Sequence, residues 1–191
     1  MIKYIRAMTI ASVLAVTALT TACSTQPMSS GPAASGDPEM DKEAAAALQS
    51  LYADTPKAQE LGQSAKGILV FPDVTKAGFL VGAHHGEGVL IESGKVTGYY
   101  ATTAVSYGLQ AGVQTFAYAM FLMSDSALQN LKTTPGFEVG MGPSVVVVDA
   151  GMAKSMTTAT LQSDIYAFIF NQQGLMAGLG LQGSKITRLS R

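Results

Sequence analysis

Tryptophan is absent from this chain, cysteine occurs once and histidine twice. Charge is sparse, with 13% of residues being Asp, Glu, Lys or Arg. A single cysteine excludes an internal disulfide and a thiolate-rich zinc site. The two histidines, His84 and His85, are adjacent, so on a strand they would point to opposite faces. Glu87 would share a face with His85, but two ligands fall short of a zinc site, and the pair reads as a solvated turn. No G-x-S-x-G string is present, and nothing in the sequence activates Ser106. The glycine strings lack the lysine of a phosphate loop. The expectation is a chain without catalytic residues, metal or cofactor. Ten basic residues against 13 acidic ones after position 22 give no basic excess, so nucleic acid is not an expected partner.

What is present begins at the amino terminus. Lys3 and Arg6 precede an uncharged, Ala- and Thr-rich stretch from Ala7 to Ala22. That stretch is shorter than the ~20 apolar residues of a spanning helix, and it ends on a small residue. Leu19-Thr20-Thr21-Ala22-Cys23 resembles the lipobox cut by lipoprotein signal peptidase, with Thr20 where leucine is usual. Residues 1–22 are therefore expected to be a signal peptide and Cys23 an acylated first residue. The alternative is an ordinary secretory signal that leaves a free thiol. Each buried methylene of an acyl chain contributes ~0.8 kcal/mol, and two chains suffice for stable anchoring. Ser24 in place of aspartate favours the outer membrane. Residues 23–40, rich in Ser, Pro, Gly and Ala, read as a flexible tether, with a domain over 41–191.

Within that domain, Asp41 resembles an N-cap ahead of KEAAAALQSLYA, and Thr55-Pro56 starts a second helix running to about Gly62. Beyond Gly67 the pattern turns to strands at 68–72, 77–83, 88–92 and 95–105, with Glu92-Ser93-Gly94-Lys95 as a hairpin turn. Ser124-Asp125 caps a short helix, and further strands follow. The string G-[FL]-x-[VA]-G occurs at 78–82, 108–112, 136–140 and 174–178. Residues i, i+2 and i+4 of a strand share a face, so both glycines of each string point one way and the large residues the other. Glycine inside strands implies sharp coiling or close backbone approach. The predicted class is α+β: a strongly curved, mainly antiparallel, glycine-rich sheet or partial barrel with N-terminal helices.

FAYAMFLM (116–123) and IYAFIF (165–170) exceed strict alternation, so both faces should be covered. Met120, Met123 and Met176 belong either to a core or to the lining of an acyl-chain cavity. Lys185, Arg188 and Arg191 form a terminal basic group that could meet anionic head groups or simply be solvated, and Lys76 is a comparable candidate.

AKGILVFPDVTKAGFLVGAHHGEGVLI (65–91), SYGLQAGVQ (106–114), SVVVVDAG (144–151) and IYAFIFNQQGLMAGLGLQGSKIT (165–187) are similar to segments of the SYLF domain, the Las-binding actin-regulator family of fungi. The resemblance runs in order over nearly all of 42–189. It implies a phospholipid-binding module without catalytic residues: eukaryotic members associate with phosphoinositide membranes, some bind actin, and bacterial members are commonly exported lipoproteins. His84 and His85 depart from the family's small residues, and the additional partner-binding domain of many eukaryotic members is not expected here. The protein partner, if any, is unknown. The expected function is thus non-covalent phospholipid binding with Cys23 as anchor and Lys76, Lys185, Arg188, Met120 and Met176 as candidate contacts; a structural or protein-interaction module is the alternative.

Overall fold

The computed structural model describes residues 36–138, 145–148, 163–174 and 184–191. The signal peptide, Cys23, the repeat string at 136–140 beyond Glu138 and Met176 lie outside these residues.

Helix α1 spans Pro38–Asp54 and α2 spans Pro56–Ser64. The first helix starts earlier than Asp41. Its N-cap is Asp37, whose carboxylate accepts from the Met40 amide at 3.1 Å, and Pro38 occupies the first turn, where its missing N–H costs nothing. Asp41 lies in that first turn and accepts instead from the Tyr99 hydroxyl at 2.9 Å. Thr55 caps α2 as expected, although its side chain makes no capping bond.

The strands expected separately over 68–105 merge into one long hairpin. Strand β1 runs Gly67–Glu92 and β2 runs Lys95–Leu122, antiparallel throughout. They join at the expected turn: Ser93 (φ 49°) and Gly94 (φ 76°) both sit in the left-handed region, which suits a two-residue hairpin loop. Pro72, which reads as a strand breaker, falls in a register shift between Phe71 and Val74, where a ladder donor is not needed. A second shift follows Phe79, where β2 carries two more residues than β1.

Helix α3 (Asp125–Thr133) follows, capped by Ser124 as expected. Strands β3 (Phe137–Glu138), β4 (Val145–Val148), β5 (Ile165–Gly174) and β6 (Lys185–Leu189) complete a six-stranded sheet among the described residues. All pairs are antiparallel except β4 with β5. On the edge of β2 away from β1, β6 pairs with Tyr99–Thr103 and β5 with Gln114–Leu122. The middle of the hairpin is therefore only two strands wide among the described residues, and there it bends.

Glycines make the bend possible. A Cβ on Gly86 would lie 2.6 Å from the Asp73 carbonyl oxygen, and one on Gly78 would lie 2.7 Å from that of Val81. Strand β1 thus curls back until residues 70–74 reach residues 86–88 of the same strand. The expected α+β class with a strongly curved, mainly antiparallel sheet and N-terminal helices is what forms, and the strand order does not close on itself.

Two apolar clusters hold this arrangement. One, inside the curl, joins Leu69, Phe71, Tyr100, Tyr118 and Met120 to Leu128 and Leu131 of α3. The other joins Ala44, Leu51 and Leu61 of the two N-terminal helices to Val70, Val89, Tyr99, Phe121 and Phe168. Residues 116–122 are buried on both faces, as their unbroken apolar character requires. Tyr118 stacks on Phe71 with ring centroids 5.9 Å apart, yet its buried hydroxyl has no hydrogen-bond partner. Burial also pushes its pKa up. Removing an unsatisfied buried hydroxyl relieves its desolvation cost. Tyr118→Phe is therefore expected to stabilise the domain by about 1 kcal/mol in urea unfolding.

Candidate functional site: the bend of the long hairpin

Alternation on a strand divides the bend into two faces. On the inner face lie Lys76, Gly78, Gly82, His84 and Gly86 of β1, opposite Gln114, Gly112, Ser106, Ala104 and Thr102 of β2. On the outer face lie Ala77, Phe79, Val81, Ala83 and His85, with Thr103, Val105 and Val113 across the ladder. The glycines and the large residues of the 78–82 string thus point opposite ways, as their spacing predicts.

The inner face is polar and mostly covered, with His84 and Ser106 half-buried. Lys76 (3% exposed), Thr102, Gln114 and Ser184 are all buried. His84 places its Nε2 3.4 Å from Ser184 Oγ, and its ring meets Phe116 edge-on at 6.3 Å. Burial lowers the His84 pKa, and the charges of Lys76 and His85 lower it further. The two histidines do point to opposite faces, but in a continuous strand rather than a solvated turn. Among the described residues the charged neighbours that shift His84 are cationic, so no carboxylate orients it as a general base would require.

The depressed His84 pKa has a consequence for stability. The folded state holds the imidazole neutral, so the unfolded chain binds the proton more readily. Stability tied to His84 is complete above the unfolded value of about 6.5 and is lost as pH falls below it through the folded pKa. Thermal unfolding is expected to show Tm decreasing over that interval, with a shallower slope in His84→Asn. An unchanged slope would remove His84 from the account.

The outer face is apolar and open. Phe79 is 75% exposed, Val113 60%, Val105 57% and Val81 52%. The α1 and α2 contacts fall on either side of this stretch, at Val70, Val89, Tyr99 and Phe121. Sequence reasoning placed Phe79 and Val81 opposite the glycines of their string, but singled out neither them nor Val105 and Val113 as exposed. Their signal was available in part: segments 74–86 and 93–124 contain no Asp or Glu.

The residues expected to contact lipid are dispersed. Lys76 is buried on the inner face opposite Gln114, so its ammonium is not offered to a surface. Met120 is fully buried between Leu69 and Ala167 in the inner cluster, which places it in the core. Lys185 and Arg188 are exposed, but they occupy opposite faces of β6: Lys185 stands across from Thr103 and Arg188 across from Tyr100. Lys185 therefore shares the outer face with Val105. Arg191 is engaged elsewhere, with Asp37 at 3.0 Å, with Glu87, and over the Tyr99 ring. The terminal basic residues thus do not form one cluster.

Residues 103–190 match the model of the family described as Ysc84, Las17-binding protein actin regulator. No curated protein matches the chain. The matched segment begins within β2 and takes in α3 and all of β3, β4, β5 and β6, so it carries Val105, Val113 and Lys185 of the outer face. The match over this segment supports membership of the SYLF-domain family.

Proposed function

We propose that this protein is a lipid-anchored component of the bacterial cell envelope, held in the outer membrane by acylated Cys23, whose SYLF domain binds phospholipid non-covalently. The observation that carries the reading is the outer face of the hairpin bend. Four large apolar residues stand exposed there, in hairpin segments free of carboxylates, with Lys185 on the same face and Glu138 across the ladder from it. Apolar side chains gain free energy on entering the acyl boundary, and a cation near an anionic surface adds ~1 kcal/mol. The reading assigns the domain no chemical step, and actin, named for the fungal family, is not a partner of an exported envelope protein.

Flotation of the Cys23→Ser chain, without its signal peptide, tests the domain apart from the anchor. Recovery with anionic vesicles above that with zwitterionic ones is expected. Equal recovery, together with no bound lipid by native mass spectrometry, would overturn the proposal.

A second reading, a protein-interaction module, has one observation in its favour. Strand β1 pairs on one edge alone among the described residues, leaving a 26-residue strand whose other edge could accept a partner strand. A single dominant protein crosslinked to the β1 edge in cells would support it.

A further inference from the structure

We infer that the outer side of the hairpin bend is a membrane-inserting ridge, led by Phe79 and Val81, and that it enters the same bilayer that holds Cys23. This rests on the phospholipid reading above. It adds which element inserts and which membrane it meets.

The ridge is built for an interface rather than for a core. Its section of the hairpin is two strands wide, because β5 and β6 leave β2 unpaired between Thr103 and Gln114 among the described residues. Bending at Gly78 and Gly82 turns the inner face upon itself and pushes Phe79 and Val81 to the convex side. The nearest acidic residues in sequence are Asp73 and Glu87; Thr75 hydrogen-bonds the first, and Arg191 pairs with the second. With Glu138 across the ladder from Lys185, these carboxylates flank the apolar crest rather than enter it, and such a crest suits an acyl boundary.

The attachment point of the tether decides which bilayer. Asp37, where the described domain begins its first helix, is fixed by three groups. Its amide donates to the Tyr99 hydroxyl at 2.8 Å, its carboxylate accepts from Met40, and Arg191 pairs with it at 3.0 Å. Tyr99 lies on the same strand face as Val105, six residues along β2. At ~3.3 Å per residue the near end of the ridge, at Val105, is thus roughly 20 Å along the strand from Tyr99, with Val81 and Phe79 farther on. Residues 24–36 can span up to roughly 45 Å when extended, so the acyl chains of Cys23 and the ridge can reach one surface together. Tethering then makes insertion intramolecular and raises its effective concentration.

The lack of tryptophan supplies the experiment. Phe79→Trp creates a single emitting indole at an exposed position, and Val113→Trp provides a second reporter on the same ridge. The mature chain, starting at Cys23, is coupled through its sole thiol to a maleimide lipid in vesicles of phosphatidylethanolamine and phosphatidylglycerol. Coupling fixes the tether geometry whatever the cell does to Cys23. With brominated acyl chains in the anchoring vesicle, the emission is expected to shift to the blue and lose most of its intensity. With bromine only in a second vesicle population, it should not change. Quenching by the second population would mean that the ridge bridges to an opposing membrane, and would overturn the inference. So would a blue shift that grows with protein concentration in the absence of lipid, which marks pairing of two copies. Flotation of the Cys23→Ser chain without quenching of either reporter would leave phospholipid binding standing and remove the ridge from it. Quenching without such flotation would uphold the ridge and remove independent phospholipid binding.

Discussion

Gly88→Ala is expected to lower the stability of the domain by about 3 kcal/mol or more, among the largest effects of any single methyl group in this fold. The added Cβ would meet the Val70 carbonyl oxygen and lie 2.7 Å from Phe71 Cδ1 and 2.9 Å from Phe71 Cα. Two of those three atoms are backbone. The clash cannot be relieved by rotating a side chain, so β1 must uncurl or the inner cluster must open. For a domain of this size such a loss lowers Tm by roughly 6–12 °C. Gly94→Ala is the control. Its φ of 76° strains an alanine, but no atom lies within 4 Å of the new methyl group. The cost there should stay near 1–2 kcal/mol, the penalty of the left-handed conformation alone. Equal losses at the two positions in urea unfolding would mean that strand β1 does not approach itself at Gly88.

The contrast also shows how far local pattern reaches. The hairpin turn was legible because Ser93-Gly94 between charged Glu92 and Lys95 carries its own geometry. The curvature was legible from the glycine spacing. The continuity of β1 and β2 was not, because Pro72, Gly78 and Gly82 are the residues that ordinarily end strands; here they sit in a register shift and at the bend. The start of α1 was hidden for a similar reason: Gly36-Asp37-Pro38 has tether composition, yet Asp37-Pro38 is an N-cap followed by a first-turn proline.

Burial was legible where it follows alternation and illegible where it depends on what packs from elsewhere. Lys76 reads as exposed because it is charged, but its parity with Gly78 already assigns it to the glycine face, and the curl buries that face. Phe79 and Val81 follow parity to the other face. That nothing described covers them is a fact about where β5, β6 and the helices stop, which the absence of carboxylates over 74–86 signals only in part. The ridge and the buried polar group at His84 are thus the same bend seen from its two sides. A sequence reading that treats both histidines as a turn misses both.

Met120→Ala is expected to cost about 3 kcal/mol, within the 2–5 kcal/mol typical of truncating a fully buried methionine. Met120 is 0% exposed and stands in register between Leu69 of β1 and Ala167 of β5, inside the cluster that α3 closes. Its neighbours belong to three paired strands, so the space left by the side chain cannot collapse without disturbing the ladder. Met120→Leu, which nearly conserves volume, should cost less than about 1.5 kcal/mol. A methionine lining an acyl cavity would behave differently: alanine would be tolerated in stability, and the amount of lipid bound to the folded protein would change. Urea unfolding of both variants, with vesicle flotation of the Met120→Ala protein under conditions where it stays folded, separates the two. A large stability loss with unaltered flotation places lipid contact on the outside of the bend. A small loss with altered flotation would move it into the interior and take the convex ridge out of the mechanism.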